Sequence, residues 1–217
     1  MNYSEKANIR PLLTIGIATF NRGQPLKVSL NNLAIQLKKI DTSQIELLVS
    51  DNSSTDSTNH VLRDFAKKQK TINFKYVCSN KNLGFDKNCN KVIDHASGQF
   101  VWLLSDDDKI NINAVEKVLQ TLKTYQDVSF VFVNYQISIE GHKSPSRCEV
   151  RKIKKISGDE FMVQSRLAFS LVSSCIVNKD FWCEKAFEKY YGSNWINLFL
   201  CRDIIAGREV VIIGTPL

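Results

Sequence analysis

The sequence predicts an α/β fold in which a mostly parallel central sheet is flanked by helices. Short apolar segments alternate with segments of helical period over residues 12–134. Each apolar segment has the length of a strand, and this alternation is typical of parallel sheets with helical crossovers. Polar residues that favour turns and helix starts follow the apolar segments. Together these three observations favour a single α/β domain.

Five strands are predicted from the apolar segments, at residues 12–18, 45–49, 74–77, 100–104 and 128–133. The first is almost continuously apolar, which is typical of a strand that is buried on both faces. This pattern predicts a sheet that is covered by helices on both sides.

Helices are predicted between these strands. Pro25 favours a helix start, residues 53–56 offer N-caps, and Gly98 is predicted to end the third helix. The apolar positions recur at helical spacing: Leu26, Leu30, Leu33 and Leu37, then Val61, Leu62 and Phe65, and later Val115, Val118, Leu119 and Leu122.

The regular alternation ends after residue 134. Residues 142–147 are predicted to form an exposed loop, and the segment from 156 onward mixes helix with short strand. A helix around 195–206, ended by Gly207, and a strand at 210–213 complete the prediction. We interpret residues 1–217 as one domain, with a first half at 12–134 and a second half at 135–217. The chain ends directly after a strand, and the sequence leaves open whether the natural chain extends beyond Leu217.

Composition and charge narrow the classes of partner. The formal net charge of +7 favours anionic partners such as a nucleotide diphosphate, a lipid headgroup surface or nucleic acid. Nucleic acid is the least favoured of these because no stripe interleaves aromatic and basic residues. The six cysteines include no CxxC pair, the first residues are polar, and no apolar run is long enough to span a bilayer. A reduced, cytoplasmic protein is therefore expected.

Polar residues follow each of the first four predicted strands, at 19–22, 51–54, 80–84 and 105–108. Open α/β sheets bind ligands beyond the carboxyl ends of their parallel strands. A single polar strand end is commonly a turn or a helix cap. Four such ends on one edge of a sheet instead predict a binding site.

Asp106, Asp107 and Asp108 form the most acidic of these strand ends. Three adjacent carboxylates repel one another unless a cation offsets their charge. Mg²⁺ or Mn²⁺ is the cation that we expect, because these ions bind oxygen ligands and share their coordination shell with substrate phosphates. The alternative is an acidic turn in which Asp108 complements a helix N-terminus.

Segments 14–22, 48–56, 82–84 and 105–108 resemble, as a set and in order, family 2 glycosyltransferases of the GT-A fold. Residues 84–88, 102–108 and 173–177 further resemble an abequosyltransferase-like subgroup that builds bacterial surface polysaccharides. The resemblance implies inverting transfer of a hexosyl or deoxyhexosyl group from a nucleotide-sugar donor to a glycan or lipid-linked acceptor, with Mg²⁺ or Mn²⁺. It also implies possible contact with the inner face of the membrane.

The resemblance implies roles for individual residues. Asp51 would accept a hydrogen bond from the base of the donor. Asp107 corresponds to the second aspartate of the family's Asp-x-Asp motif, and Ser105 replaces the first. The implied donor-binding residues are Thr19, Asn21, Arg22, Asp51, Asn82, Gly84 and Asp106, and the implied metal ligands are Asp107 and Asp108.

The general base is the part of the mechanism that the sequence leaves unassigned. The family places a carboxylate just before a late helix, whereas the corresponding residues 191–197 contain none. The nearest candidates are Glu184, Glu188 and Asp203. Two other functions therefore stay open: a non-catalytic nucleotide-sugar or carbohydrate-binding module, and a nucleotidyltransferase. The latter needs a Gly-rich basic loop that residues 21–25 barely supply.

Overall fold

A computed structural model describes residues 10–139, 142–183 and 187–217. The strands are β1 Leu13–Thr19, β2 Ile45–Asp51, β3 Phe74–Cys78, β4 Phe100–Leu104, β5 Phe130–Val133, β6 Ser138–Ile139, β7 His142–Lys143, β8 Ile153–Ser157, β9 Cys175–Asn178 and β10 Glu209–Ile213. The helices are α1 Gly23–Leu37, α2 Thr58–Lys68, α3 Phe85–His95, α4 Ala114–Thr124, α5 Gly158–Ser165 and α6 Ile196–Ile205.

One sheet contains eight strands in the order β3-β2-β1-β4-β9-β5-β10-β8. The pairs β3–β2, β2–β1, β1–β4 and β5–β10 are parallel. Strand β9 is antiparallel to both of its neighbours, and β8 is antiparallel to β10. The short strands β6 and β7 pair separately. The predicted α/β fold with a mostly parallel sheet is confirmed.

Strand β5 does not lie next to β4, as simple alternation along the chain would suggest. Strand β9 from the second half of the chain lies between them, and its residues Cys175, Ile176 and Val177 are fully buried. The basic residues Lys154 and Lys155 also belong to a strand, β8, which forms one edge of the sheet. Lysines are common on edge strands because they hinder pairing with other chains.

Helices cover both faces of the sheet. Helices α1, α2 and α4 contribute to one apolar layer, and α3, α5 and α6 contribute to the other. Alternate residues of β4 face the two layers, with Trp102 in the first and Val101 and Leu103 in the second. This burial on both faces explains why the predicted strands are almost continuously apolar.

The glycine at position 98 does not end α3, so that prediction is wrong. The helix ends at His95, and Ala96 follows with an extended backbone. A Cβ atom at Gly98 would lie 2.5 Å from the backbone nitrogen of Thr14, so glycine is needed here for close packing against β1. Gly207 does follow α6 with a φ of +68°, as predicted for a residue that ends a helix.

Candidate functional site

The carboxyl ends of β1, β2, β3 and β4 lie along one edge of the sheet. Thr19 is the register partner of Asp51, and Asp51 is the register partner of Cys78. Leu104, which ends β4, lies opposite Ile17 of β1. The polar segments that follow these strands are therefore neighbours in space, and the remaining geometry of the site is built on them.

Asp106 lies at the centre of this edge and is only 4% exposed. Thr19 Oγ1 donates a hydrogen bond to Asp106 Oδ2 at 2.6 Å, and Arg22 Nε donates to Asp106 Oδ1 at 2.6 Å. Burial raises the pKa of Asp106 above its ordinary value, although the hydrogen bonds from Thr19 and Arg22 act in the opposite direction. The loop after β1 and the loop after β4 are thus joined through one carboxylate.

Arg22 also contacts the neighbouring carboxylate. Its Nη2 donates to Asp107 Oδ2, while Ser105 Oγ donates to Asp107 Oδ1 at 2.5 Å. The pKa of Arg22 is raised, above all by its hydrogen bond to Asp106. A guanidinium group therefore bridges two of the three adjacent carboxylates and offsets the repulsion between them.

Asp108 is held by the second half of the chain. Ser173 Oγ donates to Asp108 Oδ2 at 2.6 Å and accepts a hydrogen bond from the backbone N–H of Ser105 at 2.9 Å. Trp102 Nε1 donates to the carbonyl oxygen of Ser173 at 2.9 Å. Ser173 was not identified as a site residue from the sequence, and its only sequence signal was its place in the segment 173–177.

Asn21 joins the loops that follow β1 and β2. Its backbone N–H donates to Ser54 Oγ at 2.8 Å, and its Oδ1 accepts from the N–H of Thr55 at 2.8 Å. The φ of Asn21 is +52°, a left-handed conformation that asparagine tolerates better than most residues. Asn21 therefore lies at the predicted edge, where its side chain shapes the loop.

Two aspartates organise the loop after β2. Asp51 is 1% exposed, and its Oδ1 accepts from the N–H of Ser54 at 3.1 Å. Asp56 accepts from the N–H of Gly23 at 2.9 Å and from the N–H of Thr58 at 3.0 Å. Asp56 thereby connects the first turns of α1 and α2, which fixes the backbone on both sides of the edge.

Asn52 organises the loop after β3, although sequence reasoning named only Asn82 and Gly84 there. Its Nδ2 donates to Asn82 Oδ1 at 2.8 Å and to the Gly84 carbonyl at 3.2 Å, and its Oδ1 accepts from the N–H of Leu83 at 2.8 Å. Asn52 is 2% exposed. Gly84 has a φ of +83° and a ψ of 167°, a conformation that is accessible almost exclusively to glycine.

Asn88 is a second buried amide, which belongs to the segment 84–88 but was not predicted to be a site residue. Its Nδ2 donates to the carbonyl oxygens of Thr19 at 3.3 Å and Ser50 at 3.1 Å, and its Oδ1 accepts from Ser50 Oγ at 2.7 Å. The first turns of α3 are therefore fixed to the ends of β1 and β2. A polar residue at an otherwise apolar helix position was the available signal.

Asp86, in the first turn of α3, holds the segment before α6. Its carboxylate accepts from the backbone N–H groups of Gly192 at 2.8 Å, Asn194 at 2.9 Å and Ile196 at 3.2 Å, and it is 3% exposed. Residues 191–197 contain no carboxylate of their own. The carboxylate that contacts this segment is that of Asp86, in the first half of the chain.

No candidate general base in the described part of the chain forms any of these hydrogen bonds, and one of the three candidates lies outside the described residues. Asp203 accepts from Arg202 Nε at 2.9 Å and from the Tyr190 hydroxyl at 3.1 Å. Glu188 lies in an exposed 3-10 turn, Glu188–Tyr190. Glu184 lies outside the described residues.

The strand-end carboxylates have the chemistry that a divalent cation requires. Asp107 is half exposed, and carboxylate oxygens are preferred ligands of Mg²⁺ and Mn²⁺. Within residues 10–139, 142–183 and 187–217, no three His, Cys, Asp or Glu side chains are grouped so that they could hold a metal ion. The residues therefore fit a cation that takes one or two carboxylates and completes its shell with phosphate and water.

Every helix in the described part of the chain is too short or too polar to span a bilayer.

Most of the chain matches a known family model. Residues 14–186 match the model described as Glycosyl transferase family 2. The match includes the four strand ends, Ser173 and the strand β9 that lies between β4 and β5.

Two bacterial proteins are similar to the chain in sequence. The GalNAc(5)-diNAcBac-PP-undecaprenol beta-1,3-glucosyltransferase of Campylobacter jejuni is 30% identical over 195 residues, which cover 87% of the chain and 60% of that protein. The abequosyltransferase RfbV of Salmonella typhimurium is 26% identical over 207 residues, which cover 89% of the chain and 61% of that protein. The chain therefore spans about six tenths of the length of these two relatives.

Two solved structures share the fold. The S. aureus TarS 1–349 structure in complex with UDP-GlcNAc has a TM-score of 0.73 and 17% identity, and the match covers 93% of the chain and 56% of TarS 1–349. The mannosyltransferase PcManGT of Pyrobaculum calidifontis, in complex with GDP-Man and Mn²⁺, has a TM-score of 0.65 and 17% identity. That match covers 96% of the chain and 56% of PcManGT.

Proposed function

The chain belongs to glycosyl transferase family 2, and we propose that it transfers a sugar from a nucleotide-diphosphate donor to a glycan or lipid-linked acceptor. It has the GT-A fold of its solved neighbours. One observation carries the proposal: four polar strand ends lie on one edge of the sheet and are joined there by hydrogen bonds through Asp106 and Asn52. Ligands of open α/β sheets bind at this kind of edge.

The donor is expected to lie across the ends of β1, β2 and β3. Asp51 would accept a hydrogen bond from the base, and Thr19 and Asn21 would line the nucleotide pocket. Asn82 and Gly84 would lie near the ribose and the diphosphate, with Asn52 holding their loop in place. Both solved neighbours were determined with nucleotide-sugars, which supports a donor of this class.

Asp107 is the metal ligand that we propose, with Asp108 as a second carboxylate. When bound, Mg²⁺ or Mn²⁺ would offset the negative charge that grows on the departing diphosphate. Arg22 supplies a further positive charge at the same strand end, and a guanidinium group is well suited to phosphate oxygens. We expect transfer with inversion at the anomeric carbon.

The acceptor is proposed to be a glycan or a lipid-linked oligosaccharide of bacterial surface polysaccharide synthesis. The name of the Campylobacter jejuni relative describes an undecaprenol-linked acceptor, and the other sequence relative is an abequosyltransferase. The net charge of +7 favours peripheral contact with anionic lipid headgroups at the cytoplasmic face of a membrane.

Calorimetric titration of UDP and GDP, with and without Mn²⁺, tests the proposed donor site. The wild-type chain is expected to bind one of these nucleotides more tightly with Mn²⁺, and Asp107→Ala is expected to lose at least about tenfold in that affinity. Equal and metal-independent affinity in the two proteins would contradict the metal assignment. Asp51→Ala tests the base contact, because it should weaken the preference between UDP and GDP.

A non-catalytic module of the same fold is the second candidate, and the absence of a carboxylate within residues 191–197 favours it. Incubation with UDP-GlcNAc or GDP-Man and Mn²⁺ discriminates the two functions. Release of UDP or GDP, with transfer of the sugar to water, above the rate of the Asp107→Ala variant supports a transferase. Binding of the nucleotide-sugar without any such release supports the module.

A further inference from the structure

The two carboxylate contacts of Arg22 differ in their surroundings. The Asp106 side chain is 5% exposed, and the Asp107 side chain is 52% exposed. An exposed ion pair contributes little to stability, whereas removing the partner of a buried carboxylate is costly. The contact with Asp107 can therefore open at low cost while the Nε contact with Asp106 stays in place.

The backbone at Arg22 is fixed, so any movement is confined to the side chain. The Arg22 N–H donates to Thr58 Oγ1 at 3.2 Å, and the N–H of Gly23 donates to Asp56 at 2.9 Å. These amides at the start of α1 are already bonded within the chain. The 42% exposed guanidinium is a group through which this turn can reach an anion.

Arg22 and a divalent cation compete for the same carboxylate. Asp107 Oδ2 accepts from Arg22 Nη2, and Asp107 is also the metal ligand under the proposed function. Two positive groups at one carboxylate repel each other at short range. A divalent cation should therefore bind weakly to Asp107 until the guanidinium has found another anionic partner.

We propose that Arg22 is a gate on the cation site and that the donor diphosphate opens it. The guanidinium exchanges Asp107 for a phosphate oxygen, keeps its Nε contact with Asp106, and leaves Asp107 free for Mg²⁺ or Mn²⁺. Because coupling between two ligands is reciprocal, each ligand then raises the affinity for the other by the same factor. This inference rests on the proposed function, since it takes a nucleotide diphosphate as the anion.

Titration of Mn²⁺ followed by electron paramagnetic resonance tests the gate without any measurement of activity. In the absence of nucleotide, Arg22→Gln is expected to bind Mn²⁺ at least about tenfold more tightly than the wild-type chain. With UDP present, the gain in Mn²⁺ affinity is expected to be larger for the wild type than for Arg22→Gln. Arg202→Gln is the matched control, because it removes the same charge from an exposed pair with Asp203.

A second variant, Arg22→Lys, tests the gate independently in case Arg22→Gln does not fold. Arg22→Lys keeps the net charge, but the lysine side chain has a single nitrogen. It cannot donate to Asp106 and Asp107 from two separate nitrogens, as the guanidinium does. Its Mn²⁺ affinity without nucleotide is expected to lie between those of the wild type and Arg22→Gln. Circular dichroism spectra that match the wild type establish that each variant is folded.

The outcomes separate the gate from the proposed function. If the wild type binds Mn²⁺ together with UDP but neither Arg22 variant gains Mn²⁺ affinity without nucleotide, the gate is rejected and the donor site stands. A gain of the same size in Arg202→Gln rejects the gate as well, because net charge then explains it. If no variant binds Mn²⁺ with or without UDP, both the gate and the metal-dependent function are rejected.

Discussion

The carboxylate of Asp86 accepts a hydrogen bond from the backbone N–H of Ile196, 110 residues further along the chain, at 3.2 Å. Ile196 is the first residue of α6, and a carboxylate at this position satisfies amides that have no partner within the helix. The same carboxylate also holds the N–H groups of Gly192 and Asn194. One buried side chain of α3 thus fixes the segment that leads into α6.

Asp86→Ala is expected to destabilise the chain by about 2–4 kcal/mol, because it leaves several amides without their acceptor. Urea denaturation measures the loss, and hydrogen exchange should locate it at residues 192–197. Asp64→Ala, which breaks an exposed ion pair with Lys68, is the control and is expected to cost less than about 1 kcal/mol. Unchanged protection of residues 192–197 in Asp86→Ala would contradict the assignment.

The strand ends were predictable because their signals are local. Apolar runs of strand length predict the central residues of β1 to β5. The polar residues at the ends of these runs predict a site that includes Thr19, Asp51, Asn82 and Asp106. The general rule for open sheets then placed these residues on one edge. Hydrogen bonds from Thr19 to Asp106 and between Asn52 and Asn82 are consistent with that expectation.

The contacts that sequence reasoning missed are long-range. Nothing near Asp86 in the sequence indicates that its partners are residues 192–196, and nothing near Ser173 indicates its bond to Asp108. The position of β9 between β4 and β5 likewise depends on pairing between residues that are more than 40 positions apart in the sequence. The periodicity of apolar residues indicates which face of a helix or strand is buried, but it does not indicate which segment of the chain packs against that face.

The charge balance of the aspartate cluster is another feature that depends on such pairing. Three adjacent carboxylates predict a divalent cation, because their charges otherwise repel one another. In this structure Arg22 supplies a positive charge to Asp106 and Asp107 from the loop after β1. The sequence predicts Arg22 to be a donor-binding residue. Its position beside Asp106 and Asp107 depends on the parallel pairing of β1 with β4, which the sequence does not reveal.

Gly16→Ala is expected to destabilise the chain by about 1–3 kcal/mol through overpacking. A Cβ atom at this position of β1 would overlap Cγ1 of Val92 in α3. Val92→Ala removes that atom, so the double variant should be more stable than the sum of the single changes predicts by about 0.5–3 kcal/mol. Thermal or urea unfolding of the four proteins completes the cycle. Additive effects would show that the contact of α3 with β1 does not limit the size of residue 16.

Glu46 makes the stability of the fold depend on pH. Burial acts to raise the pKa of Glu46, but hydrogen bonds from Lys75, Ser97 and Thr14 outweigh it, and the pKa lies below its ordinary value of 4.5. The folded chain therefore binds fewer protons at this site than the unfolded chain. The contribution of Glu46 is complete above the unfolded pKa and is lost as pH falls through the folded pKa.

Glu46→Gln is accordingly expected to be less stable than the wild type by about 1–3 kcal/mol at about pH 7, with a smaller difference at about pH 4 and below. Urea denaturation at several pH values measures both differences. Asp64→Asn is the matched control, since Asp64 is exposed and its pair with Lys68 contributes little. A difference that stays constant from neutral to acid pH would assign the effect of Glu46 to packing instead of charge.

Asn52→Ala is expected to weaken nucleotide-diphosphate binding by about tenfold, because the loop at Asn82, Leu83 and Gly84 loses its buried partner. Calorimetric titration of UDP with Mn²⁺ measures the affinity, and circular dichroism establishes that the variant is folded. Asn31→Ala is the control, because Asn31 lies on the exposed surface of α1. If both variants bind UDP as the wild type does, the loop after β3 does not take part in donor binding. A loss confined to Asn52→Ala would instead mean that a side chain at the end of β2 acts on the donor through its neighbour at the end of β3.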